Sequence, residues 1–198
     1  MQVPTRISHV FLLITILFVA GAVEAQQQPV GEIDLAVTYT ANRANLTTNP
    51  SFWMQGGSAE LAGQLWHGLA GVANITGLHT GGGTSGVPLS IVTDTFGPRY
   101  TWSIPTKMRR EVSVFGQGLI GEAHGFYSTF PGRPGASTNA LSFALQLGGG
   151  VDIGLSHHFA LRAVEGDWLR TQLPNSTTNV QNDFRIASGI VFHTTRHK

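Results

Sequence analysis

The segment NALSFALQLGGGVDIGLS, residues Asn139–Ser156, alternates between two kinds of residue. Apolar residues and one glycine occupy the odd positions: Leu141, Phe143, Leu145, Leu147, Gly149, Val151, Ile153 and Leu155. Small or polar residues occupy the even positions, so that the two sets lie on opposite faces of a β-strand. A soluble strand usually has ~5–6 residues, whereas a tilted strand that crosses a bilayer needs ~9–11. The length of this segment therefore favours a membrane-crossing strand.

The chain is weakly charged and rich in glycine. Of its 198 residues, 12% are charged and 25 are Gly, whereas soluble domains average about 25% charged residues. The length suits one domain. The net charge of +1 comes without a basic patch, so nucleic acid is not an expected partner. The absence of cysteine excludes disulfide bonds, thiol catalysis and thiolate metal sites.

Residues 1–25 have the pattern of a secretory signal peptide. Arg6 provides the positive charge, and Val10–Ala20 forms an apolar stretch that is too short for a membrane span. Val23–Ala25 is a small-x-small cleavage site, with Ala20–Ala22 as a second option. The alternative to cleavage is an uncleaved N-terminal anchor. No later apolar run is long enough for a transmembrane helix, which leaves a soluble secreted β-protein or an outer-membrane barrel.

Alternation of the same kind recurs in eight segments after the signal peptide. The eight strands are predicted near residues 33–42, 52–65, 68–79, 89–102, 111–124, 141–155, 159–171 and 182–194. Their connections are alternately long and short, with long loops at 43–51, 80–88, 125–138 and 172–181. Short turns at one end and long loops at the other are typical of outer-membrane barrels. Residues 26–198 are therefore predicted to form an all-β, eight-stranded antiparallel up-and-down transmembrane β-barrel.

Three predicted strands depart from strict alternation. In strand four, Asp94 falls on the apolar face. In strand five, Ser113 and Gln117 share a phase with apolar residues, which predicts a register break. In strand seven, the apolar phase resumes one residue late after Leu161, which predicts a β-bulge at Arg162–Ala163. Without that bulge, two carboxylates further along strand seven would face lipid, at a cost of up to a few kcal/mol each near the midplane.

Seven aromatic residues lie near the ends of the predicted strands. They are Tyr39, Trp53, Trp66, Tyr100, Trp102, Tyr127 and Trp168. Aromatic residues are enriched at both membrane interfaces, so this distribution predicts two interfacial girdles. The alternative is that aromatic residues simply favour strands.

Three motifs mark strand–turn–strand units along the chain. They are GGGVDIGLSHHFALRAVEGDWLRT at residues 148–171, FGPRYTW at 96–102 and RIASGIVF at 185–192. Together they resemble the eight-stranded OmpA/OmpX-like outer-membrane β-barrel proteins of Gram-negative bacteria. The resemblance implies an outer-membrane location, surrounding lipids and the barrel-assembly machinery as partners. It also implies that Gly189 and Phe192 form the assembly signal, although Thr194 stands where a final aromatic residue is expected.

Nine charged residues fall on the predicted inward face of the barrel. They are Asp34, Glu60, Arg99, Asp152, Arg162, Glu165, Asp167, Asp183 and Arg185. Buried charges must be paired and hydrogen-bonded, and the guanidinium fork of Arg can face more than one carboxylate. We therefore predict an ion-pair network that plugs the lumen and fixes strand register. The alternatives are a gated, weakly conducting pore and paired carboxylates for acid/base catalysis, for which the sequence provides no substrate pocket.

The sequence gives no strong sign of catalysis, metal binding or a cofactor. A lipid-modifying barrel enzyme would need a Ser beside a His, and the candidates are Ser156 with His157 and Ser128 with His124. Because Ser and His are common in turns, we predict no catalytic residue. Four histidines would lie at the short-turn end without carboxylate or Cys spacing that defines a metal site: His157, His158, His193 and His197. We therefore predict no metal and no cofactor.

The predicted function is that of a monomeric integral outer-membrane barrel with a structural or surface-interaction role. The loops at 43–51 and 125–138 would present a surface to a ligand outside the cell. One alternative is a narrow porin-like channel. Another is a soluble secreted barrel that binds a small apolar ligand. In that case the apolar face of Leu141–Leu155 would line the cavity.

Overall fold

Eight β-strands account for most of the residues that the structure, a computed structural model, describes. These residues are 32–44, 51–66, 68–81, 88–104, 111–131, 135–175 and 178–194. The strands are β1 (Ile33–Ala44), β2 (Phe52–Trp66), β3 (Leu69–Thr80), β4 (Leu89–Ile104), β5 (Val112–Phe130), β6 (Ser137–Gly154), β7 (Phe159–Thr171) and β8 (Gln181–His193). Within the described ranges, no helix is long and apolar enough to cross a membrane. The predicted signal peptide lies outside them.

The strands form one closed barrel in chain order. Each strand pairs antiparallel with the next, and β1 pairs with β8 from Asp34↔His193 to Arg43↔Phe184. Closure of the sheet leaves no free edge along the paired parts of the strands. The predicted eight-stranded antiparallel up-and-down barrel is therefore confirmed.

The apolar face of β6 points away from the barrel interior. Leu141, Phe143 and Leu147 are 58%, 47% and 46% exposed, whereas the alternate residues Ala144 and Gln146 are fully buried. The same division holds around the barrel, with threonines and charged residues inside. A soluble barrel that binds an apolar ligand through the Leu141–Leu155 face would need the opposite orientation. That alternative is wrong for this fold.

The bulge predicted in β7 is present. Val151 pairs with Val164 and Asp152 pairs with Arg162, which leaves Ala163 as the extra residue. The pairing of β7 with β8 shifts at the same place. The extra residue returns the following carboxylates to the interior, where Glu165 is 3% exposed.

The register break predicted in β5 is wrong. Residues 112–126 pair with residues 153–139 of β6 without a shift. Phe115, Gln117 and Leu119 are all buried on the inward face. Apolar and polar residues share this face because the interior of the barrel is itself mixed. The register shifts later, between Phe126 and Phe130.

The loop predicted at residues 125–138 is also shorter than expected. β5 continues to Phe130, and β6 begins at Ser137. The Gly and Pro content suggested a loop, but the side chain of Phe130 is 6% exposed and packs into an interior apolar cluster. This tertiary contact and the aromatic residues of the segment favour continued strand. The β5–β6 hairpin therefore extends beyond the point where β7 stops pairing with β6, at Ala144.

An apolar cluster fills the interior near the long connections. Its buried residues are Ala44, Met54, Leu78, Ile91, Ala123, Phe130, Ala144, Leu169 and Leu173. Ala44 is the last residue of β1, and Met54 is the third residue of β2. The long-loop end of the interior is therefore packed with apolar side chains, and Arg162 lies further toward the short turns.

We predict that deletion of Ala163 leaves folding unchanged, whereas deletion of Gly166 prevents it. Deletion of Ala163 gives a regular strand that still directs Arg162, Glu165 and Asp167 inward, because two steps then separate Arg162 from Glu165. Deletion of Gly166 turns either Glu165 or Asp167 toward the outer wall, where carboxylates are disfavoured by lipid or detergent. The measurement is the fraction of refolded protein that migrates as a compact, heat-modifiable band on a gel. Equal folded fractions for the two deletions would show that the inward phase of the carboxylates does not decide folding.

Candidate functional site

The guanidinium group of Arg162 on β7 lies inside the lumen. This residue is 1% exposed. Its Nη1 donates to Oε1 of Glu60 at 2.9 Å and to Oε2 of Glu165 at 3.0 Å. Its Nε and Nη2 donate to the two carboxylate oxygens of Asp152 at 3.0 and 3.2 Å. One buried arginine thus binds carboxylates from β2, β6 and β7. The Asp152 contact is bidentate, which is the strongest geometry for this pair.

A second arginine shares the same carboxylate. Arg99 on β4 places Nη2 2.6 Å from Oε2 of Glu60, and its Nε donates to Oε1 of Gln117 at 3.0 Å. The ring of Phe115 contacts both arginines, with its centroid 4.2 Å from Cζ of Arg99 and 4.5 Å from Cζ of Arg162. Cation–π attraction therefore adds to the ion pairs and holds two like charges close together.

Two inward-facing glycines of β6 make room for this packing. A Cβ atom on Gly150 would lie 2.8 Å from Cζ of Phe115. A Cβ atom on Gly148 would overlap Oδ1 of Asp167. The glycine run that marks this strand in the sequence therefore serves close approach of interior side chains to the barrel wall.

The network continues toward the long-loop end through Gln117. Its Nε2 donates to Oε1 of Glu165 at 2.9 Å and to Oδ1 of Asp167 at 3.4 Å. Oδ2 of Asp167 accepts a hydrogen bond from Nε of Arg185 at 3.2 Å, and Nη1 of Arg185 donates to Oγ1 of Thr76 at 3.0 Å. One neutral amide thus joins two groups of ion pairs into a continuous network.

The structure brings seven of the nine predicted lumen charges into this network. They are Glu60, Arg99, Asp152, Arg162, Glu165, Asp167 and Arg185. Asp183 is buried further along, where its Oδ2 accepts from Nδ2 of Asn42 at 3.1 Å. Asp34 lies apart, beside His193 at the β1–β8 seam.

Sequence reasoning missed the neutral members of the site. Gln117 and Phe115 share one inward phase, but the expected register break in β5 obscured it. Asn42 and Thr76 lie on inward phases that alternation does reveal, but their hydrogen bonds to charged groups depend on pairings that the sequence does not show. A search for polar residues on the inward phases, whether charged or neutral, would have found Asn42, Thr76 and Gln117.

The network is nearly free of solvent. The paired side chains are at most 5% exposed, except Asp152 at 14%. Desolvation of so many charges is costly, and the ion pairs offset it only when geometry is good and the remaining polar atoms are satisfied. Members come from β2, β4, β5, β6, β7 and β8. The network therefore ties together strands that are not neighbours in the sheet.

Three residues of the outer wall, Asp94, Glu122 and His124, form a small charged group. The side chain of Asp94 is 57% exposed, and its Oδ1 lies 3.6 Å from Nε2 of His124. The same imidazole lies 3.7 Å from Oε2 of Glu122. Asp94 thus faces outward, as its phase indicated. One catalytic candidate, His124, belongs to this group, and another, Ser156, accepts a hydrogen bond from the backbone of Phe159 in a turn. The expectation that the chain is not an enzyme stays a prediction.

Aromatic side chains project from both ends of the outer wall. All seven that the sequence singled out are at least 37% exposed: Tyr39, Trp53, Trp66, Tyr100, Trp102, Tyr127 and Trp168. Phe192 of the proposed assembly signal also faces outward and packs on Phe159, with ring centroids 5.4 Å apart. Gly189 pairs with Thr38 at the seam.

Comparison with solved structures gives outer-membrane proteins of the same fold. The chain is similar to Ail, the attachment invasion locus protein of Yersinia pestis, with 14% identity, a TM-score of 0.56, and coverage of 83% of this chain and 99% of Ail. It is also similar to Neisserial surface protein A, with 11% identity, a TM-score of 0.59, and coverage of 82% and 98%. No family model and no curated protein sequence matches the chain. At these identities the likeness supports the fold.

We predict that Arg162→Met destabilises the barrel by about 3–5 kcal/mol, because it leaves three buried carboxylates without their shared cation. The matched control is Arg170→Met on the same strand, outside the network, with an expected change of at most about 0.5 kcal/mol. The measurement is the free energy of unfolding in urea after refolding into detergent.

A second comparison separates charge from packing. Adding Glu60→Gln and Glu165→Gln to Arg162→Met should recover part of the lost stability, because the uncompensated charges are removed. If Arg162→Met costs no more than Arg170→Met, the network does not stabilise the fold.

Proposed function

We propose that the chain is an integral outer-membrane β-barrel protein of the OmpA/OmpX-like group, with a structural or surface-interaction role. The observation that carries this proposal is the inverted distribution of polarity. The largest fully buried side chains include Arg162, Gln146 and Asn42, whereas large apolar residues such as Val37 at 59% and Ile75 at 54% are exposed. Large apolar residues are exposed on all eight strands, whereas soluble monomers rarely expose more than a single apolar patch.

The strand dimensions support the same proposal. Each strand has between 12 and 19 residues, and a tilted strand crosses the hydrocarbon core with ~9–11. The wall is apolar where lipid would contact it, and aromatic residues lie near both ends. Outer-membrane lipids are therefore the first partners that we propose. The outer-membrane proteins among the solved structures of this fold support the same location.

A plugged lumen favours a structural or surface role over transport. Side chains of the ion-pair network fill the middle of the lumen, and the apolar cluster around Met54 and Leu169 packs the long-loop end. We infer a monomer that is inserted by the barrel-assembly machinery through its last strand, with Gly189 and Phe192 in the recognised segment. These assignments follow from the resemblance to OmpA/OmpX-like proteins.

The extended β5–β6 hairpin supports the surface-interaction role. β4 pairs with β5 only from Ser90↔Phe126, and β7 pairs with β6 only from Ala144. The hairpin therefore stands out beyond its neighbours on the long-loop side. Ail has been solved in complex with the heparin analogue sucrose octasulfate, so one barrel of this fold binds a ligand. We propose that this hairpin contacts a ligand outside the cell.

We predict that Leu147→Asp lowers the yield of folded protein in lipid vesicles, whereas Leu155→Asp changes it little. Leu147 faces outward between Gly118 and Trp168, well inside the apolar wall. Leu155 is equally exposed, at 49%, but lies after the last residue of β6. A carboxylate in the lipid-facing wall is costly in a depth-dependent way. The measurement is the heat-modifiable fraction after refolding into vesicles.

A water-soluble barrel would not distinguish Leu147→Asp from Leu155→Asp in this way. If both variants fold equally well in buffer without detergent or lipid, the membrane proposal is wrong.

One observation favours a narrow channel as a second candidate function. In the described part of the chain, three buried polar atoms have neither a hydrogen-bond partner nor an ion pair: Oδ1 of Asn42, Oγ1 of Thr93 and Nε2 of Gln146. Buried polar atoms of this kind usually bind water. The seven-charge network also contains four carboxylates against three arginines. A hydrated lumen with excess negative charge would favour small cations.

We predict that the wild-type protein shows no resolved conductance steps in planar bilayers, because the apolar cluster closes the long-loop end. Arg185→Ala should also be silent, since it leaves this cluster intact. If the wild type shows cation-selective conductance steps, and these steps are larger in Met54→Ala, the function is that of a channel and not of a plugged barrel.

A further inference from the structure

The short-turn end of the lumen contains a cluster that the ion-pair network does not include. Glu32 and Asp34 lie at the start of β1, and His193 is the last residue of β8. Asp34 and His193 are 159 residues apart in the chain but are direct partners across the seam where the barrel closes. The side chains are partly exposed, at 29%, 34% and 18% for Glu32, Asp34 and His193. An ion from solution can therefore reach them.

The three side chains converge on one point. Nδ1 of His193 contacts Oδ1 of Asp34 and lies 3.9 Å from Oε1 of Glu32. One nitrogen and two carboxylate oxygens all lie within 4.8 Å of one another. In a site with metal–ligand distances of ~2.0–2.2 Å, neighbouring donor atoms are about 3–3.5 Å apart. Side-chain rotations that bring the donor atoms together by about 1–1.5 Å would give this spacing.

The backbone holds the histidine in place. The backbone N–H of His193 donates to the carbonyl oxygen of His158 at 2.9 Å. The carbonyl oxygen of His193 lies 3.2 Å from Nδ1 of His158, which belongs to the turn between β6 and β7. A metal-binding side chain whose backbone is fixed in a strand loses little conformational freedom when it binds an ion, so the site is preorganised.

We propose that Glu32, Asp34 and His193 bind a divalent transition-metal ion, which clips the first strand of the barrel to the last. One imidazole nitrogen and two carboxylate oxygens suit Zn²⁺ and similar ions, whereas Mg²⁺ and Ca²⁺ favour all-oxygen sets. Water completes the coordination from the open end of the lumen. The inference goes beyond the proposed function and requires only the closed seam.

Metal binding at this position has a specific consequence. Because the ligands meet only when β1 pairs with β8, the ion binds the closed barrel and not the unfolded chain. Ligands that bind only the folded state raise its stability according to their concentration. The ion therefore strengthens the seam that joins the two ends of the sheet.

The test uses the full chain without a histidine tag, refolded in detergent and freed of metal with a chelator. Zn²⁺ should raise the temperature at which the compact gel band disappears by about 5 °C or more, at a concentration a hundredfold above the dissociation constant. Mg²⁺ at the same concentration should give no shift, and excess chelator should reverse the effect of Zn²⁺. Calorimetric titration should give one Zn²⁺ per chain.

Two variants and one matched control locate the site. His193→Ala should abolish the Zn²⁺ shift, and Glu32→Gln should weaken binding at least tenfold while leaving the strand pairing intact, because Glu32 precedes β1. His157→Ala, in the exposed β6–β7 turn, should respond like the wild type. If His193→Ala fails to fold, Glu32→Gln decides. A wild type that does not respond to Zn²⁺, or a Glu32→Gln variant that responds equally, overturns the proposal.

Discussion

The buried guanidinium group of Arg162 is the interaction on which the rest of the structure depends. It binds Glu60, Asp152 and Glu165 at once, and its face rests on Phe115. A charged group with so little contact with solvent is tolerated only if its ion-pair partners are held in position. Much of the barrel is arranged to do this, from the glycine at position 150, which admits the aromatic ring, to the amide of Gln117, which connects the neighbouring ion pairs.

The β7 bulge links this interior to the outer wall. A strand that alternates without interruption cannot direct both Arg162 and Glu165 inward, because an odd number of steps separates them. One extra residue, Ala163, removes the conflict. The same residue keeps the outer wall apolar, since the carboxylates that follow it lie inside. A local backbone irregularity thus satisfies both the electrostatics of the lumen and the solvation of the wall.

The two ends of the lumen differ in chemistry. The long-loop end is closed by apolar side chains, among them Met54, Leu169 and Phe130. The short-turn end is open to solvent at Asp34 and His193. This asymmetry supports the proposed function, in which the interior provides rigidity and the long-loop side, with the extended β5–β6 hairpin, contacts a ligand.

The sequence by itself determined the strand count, the β7 bulge and the set of charges that share one face, because a period of two is a local property of the chain. Only the tertiary structure decided which face is outside, since alternation is symmetric between the two faces. It also decided the phase of Gln117 within a mixed interior and the length of the β5–β6 hairpin. Contacts such as Asp34 with His193 depend on closure of the sheet, which no local pattern encodes.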